Sequence, residues 1–389
     1  MSKSKFNPFK FTEYVTKSPI LPKCRTEPIL YCDGKNLYSF KISSLDLMVF
    51  SLETRQWKFM NEGNRLLFRL DSILAAAFHE RKLIILTFLN NLLSPAVTSK
   101  LHEFDLDTET MRVVPLTGDI PTSMFPVNFI SHGNYFYAIG GSKDDEKDCA
   151  DVYRLDTNNL KWECVYKCTG KDPNEPYFSG HTLIFDGRHI FLLRPVVDMR
   201  TMFMGRPVIN ESFMKIPAFD LVTRKWKKFD THGDKRHKTS FPKKERDAYA
   251  VAQYDDPTTG ETSVILSGGE KDYYVYNDVW KLNLRSFQWT CLEKLGTILP
   301  IPVDYHSMCT TSEGRLFLCG GFLNQNARCG ENCTSCSTAV YSVWITVPKL
   351  EYLAWKTLER HHPNLAAKSR KQIKSLGIPW KLFLSKFKE

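Results

Sequence analysis

Residues 135–139, Tyr-Phe-Tyr-Ala-Ile, are a short apolar run that stops at Gly140 and Gly141. A charged loop follows, then DVYRLD at 151–156, the turn-like DTNN at 156–159, and Trp162. Short aromatic and aliphatic runs bounded by glycine and Asx residues predict strands. Asx residues mark the turn because their side chains bond their own main chain and tolerate left-handed backbone. The segment therefore predicts an antiparallel meander, and one such meander is too small to bury both of its faces.

The same unit recurs along the chain. VILSGGEKDYYVYNDVWKLNLRSFQW carries Gly268 and Gly269 and ends at Trp289, and RLFLCGG carries Gly320 and Gly321 ahead of AVYSVWI. Three degraded copies fill the remaining length, closing at Trp57, Met111 and Trp226 without a glycine pair, so their inner strands are expected to be irregular. The closing positions 57, 111, 162, 226 and 289 lie roughly 50 to 65 residues apart, and a fixed period of that size is the mark of a repeat architecture.

These copies resemble the kelch-repeat family, in which a di-glycine after the second strand is followed by a spaced Tyr and Trp. The resemblance covers about residues 25–347 and implies an all-β, six-bladed kelch β-propeller. It also implies that the glycines permit close backbone approach near the axis and that each Trp packs between blades. The last copy has no fourth strand. Because an open ring exposes a sheet edge, the alternating segment FKFTEYV at 9–15 is expected to complete the sixth blade. The chain thus divides into an N-terminal segment 1–24, a propeller 25–347 and a tail 348–389.

Composition changes this picture little: 389 residues, 42% hydrophobic and 25% charged, with no run near the ~18 apolar residues of a membrane span. The first residues, MSKSKFNPFK, lack the apolar centre of a signal peptide, so an intracellular protein, cytoplasmic or nuclear, is expected. Eleven scattered cysteines fit a reducing compartment without disulfides. Cys329, Cys333 and Cys336 share one loop, with Cys319 before it, but they lack the two paired clusters of a zinc module, and neither metal nor cofactor is expected. No GxSxG elbow, phosphate loop or HExxH helix is present, so a non-catalytic protein is expected.

After Val347 the strand alternation gives way to helical spacing. Leu350, Ala354 and Leu358 fall on one face with Leu353 at its border, Pro363 ends a first helix, Gly377 caps a second, and Pro379 opens a third. The tail resembles the suppressor-of-cytokine-signalling type box, in which a Leu-x-x-x-Ala-x-x-x-Leu helix docks on elongin C and a downstream element touches a cullin. The resemblance puts Leu350, Leu353, Ala354 and Leu358 on elongin, and Leu376, Ile378, Pro379, Leu382 and Phe383 on the cullin. Gly377 replaces the first proline of the form read by cullin-five, which favours a cullin-two partner.

The whole chain resembles kelch-repeat substrate receptors of cullin–RING ubiquitin ligases. That implies elongin B/C, a two-type cullin and a RING subunit as partners, and protein targets read at their C-terminal ends. The alternative is a kelch interaction scaffold in signalling or cytoskeletal regulation with no ligase role. A target's carboxylate calls for cations and hydroxyls on the ligand-facing loops. The candidates are Arg69, Tyr177, Ser179, Arg194, Arg246, Tyr249, Lys271, Tyr305 and His306, with Lys143 and Arg328 less firmly placed. Residues 349–389 hold ten Lys or Arg against three Glu, which is +7 of the total +10, and the basic run 231–246 reads as a flexible loop ahead of the alternatives of a positive rim for an acidic partner or a nuclear-import patch. Neither basic segment has the aromatic interleaving of a nucleic-acid groove, so no nucleic-acid partner is expected.

Overall fold

A computed structural model describes residues 7–17, 27–42, 44–60, 72–90, 97–121, 128–140, 150–176, 182–193, 213–243, 246–272, 274–323, 336–362, 364–365 and 368–380. The chain separates into two compact units, 1–345 and 346–389.

The first unit is a six-bladed β-propeller. Blade one is Ile29–Cys32, Asn36–Lys41, Asp46–Ser51 and Trp57–Phe59, and blade two is Ser72–His79, Lys82–Asn90, Val97–Asp105 and Met111–Pro115. Blade three is Asn128–His132, Tyr135–Ile139, Val152–Asp156 and Lys161–Tyr166, with a parallel outer rung from Thr117–Gly118. Blade four is Thr182–Phe185, His189–Leu193, Lys215–Asp220 and Lys225–Asp230, and blade five is Ala250–Asp255, Thr262–Ser267, Val279–Asn283 and Gln288–Cys291. Asp304–Thr310, Arg315–Phe322 and Val340–Trp344 give blade six three strands. Its fourth strand is Thr12–Tyr14, paired antiparallel in the register Thr12–Ser342, Glu13–Tyr341 and Tyr14–Val340.

This closure is fastened by side chains as well as by the ladder. The Trp344 amide donates to the Pro8 carbonyl at 3.0 Å, and the Thr297 hydroxyl donates to the Phe9 carbonyl at 2.8 Å. The Arg315 guanidinium donates to the Tyr14 hydroxyl and lies 5.5, 5.1 and 5.8 Å from the ring centres of Tyr14, Phe317 and Trp344. A cation over aromatic faces is held by their quadrupoles, so the closing strand is pinned from its side-chain face too.

The core lies between blades. One apolar cluster joins blades two and three around Trp162, another joins three and four around Trp226, and a third joins four and five around Trp280 and Trp289. Clusters between five and six, six and one, and one and two complete the ring, with Trp57 in the second of these. The repeated Trp is therefore a stacking residue, as the family resemblance implies. Met111, which replaces it in blade two, packs half-buried on the neighbouring cluster. The expected irregularity appears in blade two as a register shift between Ile73 and Ala75, but blades one and four pair without a shift, and blade three, which has the glycine pair, shifts between Val152 and Tyr153.

The second unit has two described helices: α1, Leu350–His361, and α2, Arg370–Ser375. Ser369 and Gln372 form a capping box at the start of α2, each side chain taking the other's amide. Gly377, at φ +74°, closes it: its amide bonds Lys374 O at 3.0 Å and the Ile378 amide bonds Ile373 O at 3.3 Å, the double bond of a Schellman motif. Trp355, Leu365, Ile373 and Ile378 form the small core of this unit. Of the third helix expected from Pro379, only Trp380 falls within the described residues. No described helix is long and apolar enough to cross a membrane.

Candidate functional site

Antiparallel pairing brings the start of a blade's first strand, the end of its second, the start of its third and the end of its fourth to one end of the blade. In blade five this end carries Arg246, Gly268, Gly269, Asp278 and Cys291. The glycines are required there. At Gly268 (φ +60°) a Cβ would stand 2.4 Å from the Val303 carbonyl of the next blade, and at Gly269 (φ +86°) it would stand 2.5 Å from the Asp247 carbonyl. The Gly269 amide then bonds Val303 O at 3.0 Å, and Asp247 and Glu270 exchange amide bonds of 2.7 and 2.8 Å. Freed from the sheet, the chain rises into a two-rung hairpin, Glu270–Lys271 against Tyr274–Val275.

Arg246 is buried, and its Nε is left without a hydrogen-bond partner among the described residues. Its side chain is 0% exposed, its guanidinium grips the Asp278 carboxylate at 2.7 and 2.8 Å, and a further N–H reaches Gly268 O at 3.0 Å. Tyr276 stacks on it at 4.2 Å from the ring centre. The carboxylate that this guanidinium meets in the structure is internal, Asp278, which Trp280 Nε1 also holds at 2.7 Å. Tyr249 and His306 are likewise buried: Tyr249 packs edge-on against Phe213, and the His306 ring bonds the Ser267 hydroxyl at 2.8 Å. Tyr305 is half-buried at a left-handed corner (φ +52°), with its ring against Phe322. Arg69, Tyr177, Ser179, Arg194, Lys143 and Arg328 lie outside the described residues.

Lys271 is the candidate that meets open space. It lines a groove of about 660 Å³ with Lys243, Phe241, Tyr274 and Tyr276. The other wall of this groove comes from the basic run, which is not a flexible loop. His232 pairs with Gln288 on the outer strand of blade five, and the buried Asp234 carboxylate accepts the Cys291 amide at 3.1 Å. The aromatic run YYVYND held the signal for the hairpin, but composition did not distinguish a structured rim from a connecting loop.

In the helical unit, Leu350 is 81% exposed, and with Leu353, Ala354, Thr357 and Leu358 it lines a groove of about 570 Å³. Trp355, which the sequence places off that face, is the residue that α1 buries. Among the residues expected to meet a cullin, Pro379 is exposed and Leu376 half-buried, but Ile378 is 8% exposed and belongs to the core of the unit, so its side chain is committed internally. Leu382 and Phe383 lie outside the described residues.

One cysteine environment departs from expectation. Cys336 is disulfide-bonded, so a chain without bridges is not what the structure holds, and this sulfur is withdrawn from any zinc thiolate set. Its bonding partner, with Cys329 and Cys333, lies outside the described residues. Burial pushes the Cys291 thiol up to about 11.

A Kelch-repeat family model, the KLHDC2/KLHL20/DRC7 Kelch-repeats domain, matches residues 73–321. The chain belongs to that family. It is 30% identical over 275 residues to the Kelch domain-containing protein 10 homolog of Drosophila melanogaster, covering 67% of this chain and 41% of that protein. It is 31% identical over 237 residues to Kelch domain-containing protein 10 of Rattus norvegicus, covering 60% and 50%. The Xenopus laevis protein of the same name is 29% identical over 331 residues, covering 73% and 75%. The matched part thus spans half or less of the length of the first two of these relatives.

Proposed function

We propose that the chain is the non-catalytic substrate-recognition subunit of a cullin–RING ubiquitin ligase of the cullin-two type. In this reading α1 docks on elongin B/C and the propeller end bearing Lys243 and Lys271 receives the C-terminal segments of target proteins. The observation that supports it is the apolar groove on α1, where Leu350 is 81% exposed beside the exposed Ala354 and the half-buried Leu353 and Leu358, at the spacing of an elongin-binding helix. A soluble unit gains nothing by exposing a leucine row, since each such side chain is worth roughly 1.5 to 3 kcal/mol when buried. Ile378 then supports the helical unit from inside, which leaves Leu376 and Pro379 as the described part of the cullin contact.

The test is co-purification of elongin B and C with the intact chain and with Leu350→Asp. The charged residue should abolish capture, because an unpaired buried charge costs more than the lost apolar contact, while the propeller melts as in the parent. Undiminished capture would remove the assignment and leave the interaction-scaffold reading. End recognition is tested separately, by the affinity of a target peptide with a free C-terminus against its amidated twin.

A further inference from the structure

We infer that the partner received by the α1 groove presents an acidic protein surface, and that a row of unpaired cations on and beside α2 steers the helical unit onto it. The inference rests on the reading of this unit as a docking module. It concerns how fast the assembly forms, whereas the apolar groove concerns how long it lasts.

The cations are Lys368, Arg370, Lys371 and Lys374, of which the last three are exposed and Lys368 is half-buried. In the propeller, Arg81, Arg154 and Arg188 each meet a carboxylate at 2.6 to 2.7 Å. Among the described residues no acid pairs with any of the four cations in the helical unit. From residue 368 to 388 the sequence holds seven Lys or Arg and no Asp or Glu, so no neighbour along the chain neutralises them.

Their position is not one that helix stability selects. Arg370 and Lys371 are the first two residues of α2, and its first turn has no acid, so both cations oppose the partial positive charge that a helix carries at its start. The capping box of Ser369 and Gln372 holds the turn instead. Residues kept where they work against local structure mark a function. None of the four lines the α1 groove, yet both surfaces belong to one body, because Ile373 of α2 meets Trp355 of α1 in the core of the unit.

The surroundings of these cations decide the kind of anion. A lipid surface calls for apolar side chains beside the charge, and the apolar side chain of α2, Ile373, is 0% exposed. Single-stranded nucleic acid calls for aromatic faces open to bases, and Trp380 is half-buried against the core of the unit with the Arg370 guanidinium 5.8 Å from its ring centre. What remains is charge on flexible stems, three of the four being ammonium groups, which attract carboxylates without locking one geometry. Such charges act on association over a Debye length of about 8 Å at physiological salt and leave dissociation to the buried apolar contact.

The experiment measures association and dissociation rates of the full chain on immobilised elongin B/C, at low and at physiological ionic strength, for the parent and for Arg370→Glu/Lys371→Glu. Glutamate in a first turn favours the helix, so the variant should keep its fold by circular dichroism. At low salt the parent should associate roughly 10-fold or more faster than the variant, the gap should narrow as salt is added, and the dissociation rates should stay equal. If the parent does not bind elongin B/C at all, the ligase reading falls, and the same two proteins are compared on a poly-glutamate peptide, which the parent should still bind roughly 10-fold more tightly. Equal association rates on elongin B/C, a loss that lies in dissociation, or equal binding of the peptide where that comparison is needed overturns the inference. So does binding to phosphatidylserine vesicles or single-stranded DNA that the variant loses while its rate on elongin B/C is unchanged.

Discussion

Replacing Arg246 separates a structural role from a ligand-binding one. The guanidinium makes three bonds of 2.7 to 3.0 Å, to Asp278 and Gly268 O, with its side chain 0% exposed. Arg246→Ala leaves Asp278 without its cation, and breaking a buried ion pair from one side costs about 3–5 kcal/mol. The low end applies, because Asp278 keeps the Trp280 donor and its side chain is 23% exposed to water. At ~2.1 cal/mol/K per residue, a unit of about 345 residues unfolds with an entropy near 0.7 kcal/mol/K, so ~3 kcal/mol lowers its melting temperature by about 4 °C. Arg246→Lys should lose most of the same amount, since an ammonium does not reproduce a two-pronged grip on a carboxylate plus a third bond. Differential scanning fluorimetry on both variants, with Asp278→Asn and the double variant to complete a cycle, measures the coupling. If Arg246→Ala melts with the parent while target-peptide binding disappears, the guanidinium serves a ligand and the structural argument is wrong.

Two further outcomes follow from the fold. A chain starting after residue 17 should aggregate or run as oligomers on size exclusion, because it exposes the Val340–Trp344 edge and removes Phe11 from the core; a monomeric truncation with unchanged melting would contradict closure by Thr12–Tyr14. In blade four, the bond from Arg188 holds the buried Asp220 carboxyl well below the usual carboxylate range, with Lys227 and the Val222 and Thr223 amides adding to it. A lowered folded pKa gives stability that is present above the unfolded value near 4 and lost as pH falls below it. Denaturant midpoints should therefore fall more steeply on acidification for the parent than for Asp220→Asn, and equal slopes would remove this carboxylate from the acid response.

How far the sequence could be read depended on whether a feature is local. Gly268 and Gly269 announce themselves because only glycine fits backbone at φ +60° and +86° against two carbonyls. The closing strand was legible from a deficit, a last copy with three strands, together with alternation at the other end of the chain. The burial of Arg246 was not legible because its partner, Asp278, lies 32 residues away, beyond a hairpin that looks like a loop in one dimension. The Leu350 face of α1 was legible from spacing, but the burial of Trp355, which falls off that face, was not read from it. The commitment of Ile378 was not, because it depends on the Schellman turn folding that residue back over α2. The basic run misled for a related reason: Lys235, Arg236, Lys238 and Lys243 are exposed, while the buried Asp234 and Arg246 anchor it.

Blade five therefore has a layered rim. The buried Arg246–Asp278 pair forms the floor, Tyr276 stacks upon it, and the hairpin and the 231–243 segment rise as walls. The guanidinium is spent inside this construction, so the cations that line the described groove are the ammonium groups of Lys243 and Lys271. A lysine is a strongly hydrated point charge on a flexible stem, where an arginine would impose two parallel bonds. On the proposed reading, a groove built this way would draw anionic chain ends over a Debye length of about 8 Å at physiological salt without fixing their orientation, with the pull reduced by Asp272, 3.9 Å from Lys271 in the same lining. On that reading selectivity would fall to Phe241, Tyr274 and Tyr276, the aromatic rings in the same lining. Discrimination among ligands at this rim is thus an apolar and aromatic matter, and charge governs chiefly how fast they arrive.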